Sequence, residues 1–296
     1  KLRNSNFIKT NAVGSVKFNQ KYSGENEEVL IEKCLFDQCV GSNLRCFDIS
    51  IHTLQFTFQD IVIQNHKESG NNGYFIGICG NDVLKTLELI NVTFLNNRCN
   101  SDYGGGSGIW FQYIETIKFN RCKFINNTAL KSPIARDKVP VGATEISYYS
   151  GDGGGVQYGF SNSIYNVNMI FDGCEFTENK AVRHGGALAL QTVKDVSITG
   201  CTFKNNIANY KEEEAAQYLA YENFFSKKTN GRGGAIYLNP AFNHQGMNET
   251  EKSFHMKSVT IDGNKFEENS AFDGYAIYIQ GQDPGTTFEI TRNEFI

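Results

Sequence analysis

The sequence predicts an all-β fold: a right-handed parallel β-helix of three-strand coils, about eight rungs high, with loop and helix insertions. Three observations carry that expectation. A pattern of the form apolar-x-x-Cys/Asn-x-Phe-x-x-Asn-x-Ala recurs along nearly the whole chain. Within each copy, apolar residues alternate with polar ones, as on a strand with one buried face. The alternation then slips phase at fixed points, often beside glycine, as a chain does when it turns a corner.

The pattern reads "LINVTFLNNRC" from Leu89, "FNRCKFINNTA" from Phe119 and "FDGCEFTENKA" from Phe171. Its central residue falls at Phe7, Phe36, Ile63, Phe94, Phe124, Phe176, Phe203, Phe266 and Phe295, in steps of 29, 27, 31, 30, 52, 27, 63 and 29 residues. The two long steps are one period plus an insertion, which is how solenoids accommodate loops. The first strand of each coil holds pairs such as Leu87 and Leu89, Val196 and Ile198, and Val259 and Ile261. A break at Gly173, Gly200 or Gly263 marks a corner, after which residues such as Cys201 and Phe203 face inward again. The third strand is a glycine-led block, "GGAIYL" from Gly233, with Ile236 and Leu238 inward and Tyr237 outward. A lone coil leaves its inner face wet, whereas stacked coils bury one another's. An α-solenoid would need an apolar period of about 3.6 over each element, which the repeats lack. The right hand follows from the rule for parallel crossovers. At about 4.8 Å per layer, eight coils give a rod on the order of 40 Å long. The chain reads as a single solenoid segment over 1–296, with no polar cap at Leu2 or Ile296, so the rod is expected to continue in both directions.

In an in-register stack, equivalent residues lie on top of one another. Asn97, Asn127, Asn179, Asn206 and Asn269 share the column three residues after the central Phe. They are expected to form a corner ladder, each amide bonding the next, with asparagine tolerating a left-handed backbone. Ligand or metal binding is the competing reading. Cys122, Cys174 and Cys201 share the column two residues before the Phe, in three consecutive coils. A stack of small buried thiols is the favoured reading, because parallel Cβ vectors present sulfurs poorly to one another. A Cys174–Cys201 or Cys122–Cys174 bridge is the alternative. A line of sulfurs is not the tetrahedron that zinc takes. Cys39, Cys46, Cys79 and Cys99 fall off the column and are better disulfide candidates, with the pairing open.

Net charge is −4 with the signs interspersed, which gives no electrostatic footprint for nucleic acid. No apolar run reaches the roughly 18 residues that span a bilayer. Glycoside hydrolysis needs two carboxylates held across one bond, and no Asp-Asp pair or Asn-Thr-Asp run occurs. His184, in "RHGG", is either a general base or a solvated corner residue, and the second reading is the plainer. Asp102, Asp152 and Asp273 precede glycines at one corner, where they could bind Ca²⁺ with carbonyl oxygens. Arg183 and Arg232 fall near the same corner and make salt pairing the plainer account. The runs "YGGGSG" and "GDGGG" lack the Lys-Ser/Thr and helix of a phosphate loop and suit tight corners. No catalytic residue, metal or cofactor is therefore expected.

Insertions fall near 130–150, 210–230 and 239–257. The second contains "KEEEAAQYLAYENFFSKK", whose acidic start and basic end suit a short helix. Its Tyr218, Tyr221, Phe224 and Phe225 either pack on the rod or present an aromatic patch to a partner. Asn91, Asn126 and Asn248 begin N-x-S/T sequons and are candidate glycosylation sites, the first two at predicted corners and the third in an insertion.

The FxxN spacing is met at Phe94–Asn97, Phe124–Asn127, Phe176–Asn179, Phe203–Asn206 and Phe266–Asn269, and GGA at Gly185–Ala187 and Gly233–Ala235. This pairing resembles the repeat signature of the chlamydial polymorphic outer membrane proteins and of similar large protist surface proteins. The resemblance covers nearly the whole chain. It implies an extracellular β-helical passenger or stalk associated with adhesion, and it supplies no catalytic residue. The expectation is a non-enzymatic structural or adhesive segment of a large cell-surface or filament-forming glycoprotein. Its expected partners are further repeats or other copies stacking at the ends, and glycans or host or matrix carbohydrate. The alternative is a polysaccharide-binding or polysaccharide-cleaving β-helix of the pectate-lyase-like kind.

Overall fold

The computed structural model describes residues 2–8, 16–19, 28–38, 47–50, 55–67, 76–79, 85–99, 105–112, 114–130, 152–158, 167–191, 193–208, 231–240, 256–281 and 285–296. Two nine-stranded sheets run the length of the stack. The first is built from the five-residue strands that precede each corner, such as Thr86–Ile90, Thr116–Asn120 and Asn168–Asp172. The second carries the central Phe column, and its strands pair in parallel with Phe94 opposite Phe124, Phe124 opposite Phe176 and Phe176 opposite Phe203. Phe7 pairs with Phe36 at one end and Phe266 with Phe295 at the other, so the repeat phase read from sequence is the strand register. Residues 27 to 63 apart are thereby brought side by side.

Third strands form two four-stranded sheets rather than one. One contains Val16–Asn19 and Ile109–Gln112, the other Val156–Tyr158 and Ile277–Ile279. The break falls where Gly108, at φ 70, adds a residue to its block. The coils still stack there, because the Gly106 N–H donates to Gly153 O and the Ser107 N–H to Gly155 O.

The coil also has a strand that the three-strand expectation lacks. Arg98–Cys99, Thr128–Ala129, Lys180–Ala181 and Ile207–Ala208 form a four-stranded sheet of two-residue strands just after the asparagine corner. Cys99, Ala129, Ala181 and Ala208 point into the core there. A small residue is needed because the chain turns again at once and leaves little depth below it.

The interior is a set of aromatic columns. Rings of Phe94, Phe124, Phe176 and Phe203 stack nearly parallel with successive centroids 4.8 Å apart. Phe119 and Phe171 form a second column at 4.7 Å and meet the first edge-on, Phe171 to Phe176 at 5.9 Å. Parallel rings at the strand spacing follow from identical rotamers on in-register strands, and the edge-on contacts supply the favourable quadrupole geometry. No α-helix occurs among the described residues, so none there is long and apolar enough to cross a membrane. The insertion expected to be helical, with Tyr218, Tyr221, Phe224 and Phe225, lies outside the described residues, as does Asn248.

Candidate functional site

The polar side chains with unusual environments stand in columns at the corners. Asn97, Asn127, Asn179 and Asn206 are fully buried. The Asn127 backbone N–H donates to Asn179 Oδ1 at 3.1 Å, and the Asn179 N–H to Asn206 Oδ1 at 3.1 Å. Each side-chain amide also donates to the carbonyl of the central residue one coil back, Asn179 Nδ2 to Phe124 O at 2.7 Å and Asn206 Nδ2 to Phe176 O at 2.8 Å. The same nitrogens donate up the ladder, Asn127 to Asn179 and Asn179 to Asn206, both at 3.0 Å. Asn269 completes the column by accepting from Asn206. Every polar atom of these amides serves the corner, so none is left to bind a ligand. The ladder asparagines are not themselves left-handed. That conformation belongs to the preceding residues, Asn96, Asn126, Glu178, Asn205 and Glu268, at φ 51 to 57.

The cysteine column repeats this construction with sulfur. Cys122 Sγ–H donates to Leu89 O at 3.3 Å, Cys174 Sγ–H to Phe119 O at 3.2 Å and Cys201 Sγ–H to Phe171 O at 3.6 Å. The Cys174 N–H donates to Cys201 Sγ at 3.3 Å. One coil further, Asn264 takes the same place, with its Nδ2 donating to Ile198 O and its Oδ1 accepting from the Cys201 N–H. Thiol and amide are thus interchangeable at this corner. Cys34, Cys122, Cys174 and Cys201 are free and buried, and Cys99 is buried as well. Hydrogen bonding to the neighbouring thiol pushes both Cys174 and Cys201 above the ordinary thiol range, so these two sulfurs stay protonated and unreactive. Cys39 and Cys46 lie outside the described residues, and Cys79 is placed only as the end of a strand.

At the glycine corner, Asp152, His184, Arg232 and Asp273 form one column across four coils. This follows from the backbone bonds Gly153 N–H to His184 O, Gly185 N–H to Arg232 O and Gly233 N–H to Asp273 O. Arg183 Nε lies 3.5 Å from Asp152 Oδ1, and Arg232 Nε lies 3.9 Å from Asp273 Oδ2. The aspartates read as possible calcium ligands are therefore paired with arginine. Asp102 lies outside the described residues. His184 is not a solvated corner residue. It is buried, its ring stacks on Tyr237 at 4.5 Å, and its backbone N–H donates to Asp152 Oδ1 at 3.1 Å. Tyr237, outward from the core, is buried as well, and its hydroxyl donates to Gln280 Oε1 at 2.5 Å. Arg232 Nη1 donates to the same oxygen at 2.9 Å and its guanidinium lies over the Tyr278 ring.

Burial pushes the Asp152 carboxyl up to about 6, against the lowering pull of Arg183. Burial, then the charges of Arg183 and Arg232, hold His184 well below the ordinary histidine value. Asp152 Oδ2 and His184 Nδ1 are sealed from solvent and make no hydrogen bond to the described residues. The cluster has the residue types of an acid–base site, with both side chains buried. Among the described residues, no three of His, Cys, Asp and Glu converge as metal ligands.

Asn91 and Asn126 occupy left-handed corners on different columns, at φ 52 and 51. Asn91 is exposed and donates one amide hydrogen to Asp60 Oδ1 at 2.8 Å. Asn126 is half-buried within an outer amide chain, donating to Asn96 Oδ1 at 2.9 Å and accepting from Lys180 Nζ at 3.3 Å. Asn91 is thus the more open of the two.

Fold and columns together define a class: a repeat-built parallel β-helix whose buried polar side chains serve the stacking of its coils. Residues 200–239 match the Chlamydia polymorphic membrane protein repeat, a stretch that contains the Phe203–Asn206 corner and the Gly233–Ala235 block. No curated protein and no solved structure matches the chain.

Proposed function

We propose that the chain is a non-enzymatic structural or adhesive segment of a large glycoprotein displayed on the cell surface. The observation that carries this reading is the use made of its polar residues. Asparagine amides and cysteine thiols at two corners are bonded into the stack, and the most enzyme-like cluster, Asp152 with His184, is sealed. A hydrolase must bring its acid and base within hydrogen-bond reach of a substrate. The repeat match over residues 200–239 supports placement at a cell surface. Carbohydrate of a host or matrix is the expected partner class, and Asn91 the leading position for an attached glycan.

Two readouts test the proposal. The native protein should be reached by antibody and by added protease on intact cells. The purified chain should adhere to polysaccharide- or matrix-coated surfaces while releasing neither reducing ends nor unsaturated products from acidic and neutral polysaccharides. Product release, or confinement of the protein to the cell interior, would overturn it.

A further inference from the structure

The outward face of one sheet is buried where a single-walled rod should leave it wet. In the first two sheets an outward side chain is flanked by its equivalents in the neighbouring coils and still stays half-buried, as Ile170 beside Ser197 and Glu175 beside Thr202 show. Stacking shields the sides of a side chain and not its outer tip. The sheet containing Val156–Tyr158, Leu188–Gln191 and Ile236–Asn239 differs. Gln157, Ala189 and Tyr237 are paired coil to coil on its outward side. They are 5%, 0% and 3% exposed, and Gln191 further along the face is 3% exposed. Ala189 and Ser197 are similar in size and similarly flanked, so the difference comes from outside the sheet.

The chain itself supplies an occupant. One coil passes from Ala181 to His184 with two residues between, whereas the next passes between the equivalent positions, Ala208 and Arg232, with 23. It rejoins the stack at Gly231, whose N–H donates to Arg183 O at the corner of the coil that carries Ala189. Segment 209–230, outside the described residues, therefore begins and ends beside this face. Its 22 residues are enough chain to cross a four-residue strand of about 13 Å and return. Asp152 Oδ2, His184 Nδ1 and Gln191 Oε1 are sealed from solvent at this face and its corner, and apolar surface is what excludes water best. The segment holds Tyr218, Tyr221, Phe224 and Phe225 within eight residues, whereas 131–151, which joins the same corner, has only Tyr148 and Tyr149 as aromatics.

We propose that the outward face around Ala189 and Tyr237 is an internal docking surface whose occupant is segment 209–230, seated by its aromatic side chains. The rod then has a second layer on this side, and those aromatics face the rod and are withheld from partners. The inference rests on burial at one sheet and is independent of the adhesive role.

Hydroxyl-radical footprinting of the whole chain tests it, with Tyr237 as the reporter and Phe176 as the control for an intact core. Tyr237 should resist oxidation in the parent. Combined replacement of Tyr218, Tyr221, Phe224 and Phe225 by Ser should raise its oxidation severalfold and leave Phe176 protected, while deletion of 133–149 should leave Tyr237 protected. A second arm keeps the decision open to measurement if the Ser variant loses its fold. Phe224→p-benzoylphenylalanine in the otherwise unaltered chain should photo-crosslink to the strands that hold Ala189 or Tyr237. Free oxidation of Tyr237 in the parent, its continued protection in a folded Ser variant, its exposure by the 133–149 deletion, or the lack of a crosslink to those strands would each overturn the inference.

Discussion

At the residue scale, the two ladders rest on side chains whose every polar atom is committed. Asn179 accepts from the Asn127 N–H and Nδ2 and donates to Phe124 O and Asn206 Oδ1. Asn179→Ala would leave a buried N–H and a buried carbonyl without partners, at about 1–3 kcal/mol for each group. Loss of about 2–5 kcal/mol in urea unfolding is expected, and a loss below 1 kcal/mol would remove the ladder's structural role. These columns were legible because each holds a fixed phase to the central Phe. The left-handed residues just before them were not. Lys33, Asp60, Arg121 and Glu178 all take φ 52 to 57, so the coil path imposes the conformation whatever the residue's own preference. The His184–Tyr237 stack was equally hidden, since its partners belong to different coils and neither matches the repeat.

Asp152 and His184 give the corner opposing pH dependences. The folded Asp152 carboxyl is raised from 3.8 to about 6, so its stabilising contribution is full below about pH 3.8 and is lost as pH rises through about 6. The folded His184 is lowered from 6.5, so its contribution is present above pH 6.5 and is lost as pH falls below that value. Asp152→Asn keeps an oxygen for the His184 N–H and removes only the first of these. On acidification from pH 7 to 5, the variant should lose about 1 kcal/mol more stability than the parent. Urea titrations at each pH would measure this, and parallel pH profiles would contradict the burial of Asp152.

At the element scale, the second sheet is held mainly by its Phe column. Phe176 is fully buried, stacked between Phe124 and Phe203 and met edge-on by Phe171. Phe176→Ala should cost about 3–5 kcal/mol, because rigid in-register neighbours cannot collapse into the cavity. A melting temperature unchanged by this substitution would argue against the stacked column. The first two strands of each coil were legible from their alternation. The two-residue strand after the asparagine corner was not, because two residues show no period. The division of the third strands falls at the block that contains Gly108.

At the scale of the whole molecule, the account makes distance a function of coil number and not of sequence separation. Lys123, Glu175, Thr202, Lys265 and Glu294 are successive members of one outward column, paired coil to coil in parallel register. Their sequence separations differ widely because insertions leave and rejoin at corners, yet each step should advance the stack by about 4.8 Å. This regularity is what would let long insertions vary while the scaffold stays fixed, as a surface or adhesive rod requires. The most direct test places spin-label pairs at Asn6, Thr93, Lys123, Thr202, Lys265 and Glu294 and measures their separations by dipolar spectroscopy. The account predicts distances that rise linearly with coil number, about 19 Å for the four coils from Thr93 to Lys265 and about 34 Å for the seven from Asn6 to Lys265. Distances that followed residue separation instead, or jumped at the steps containing insertions, would contradict it.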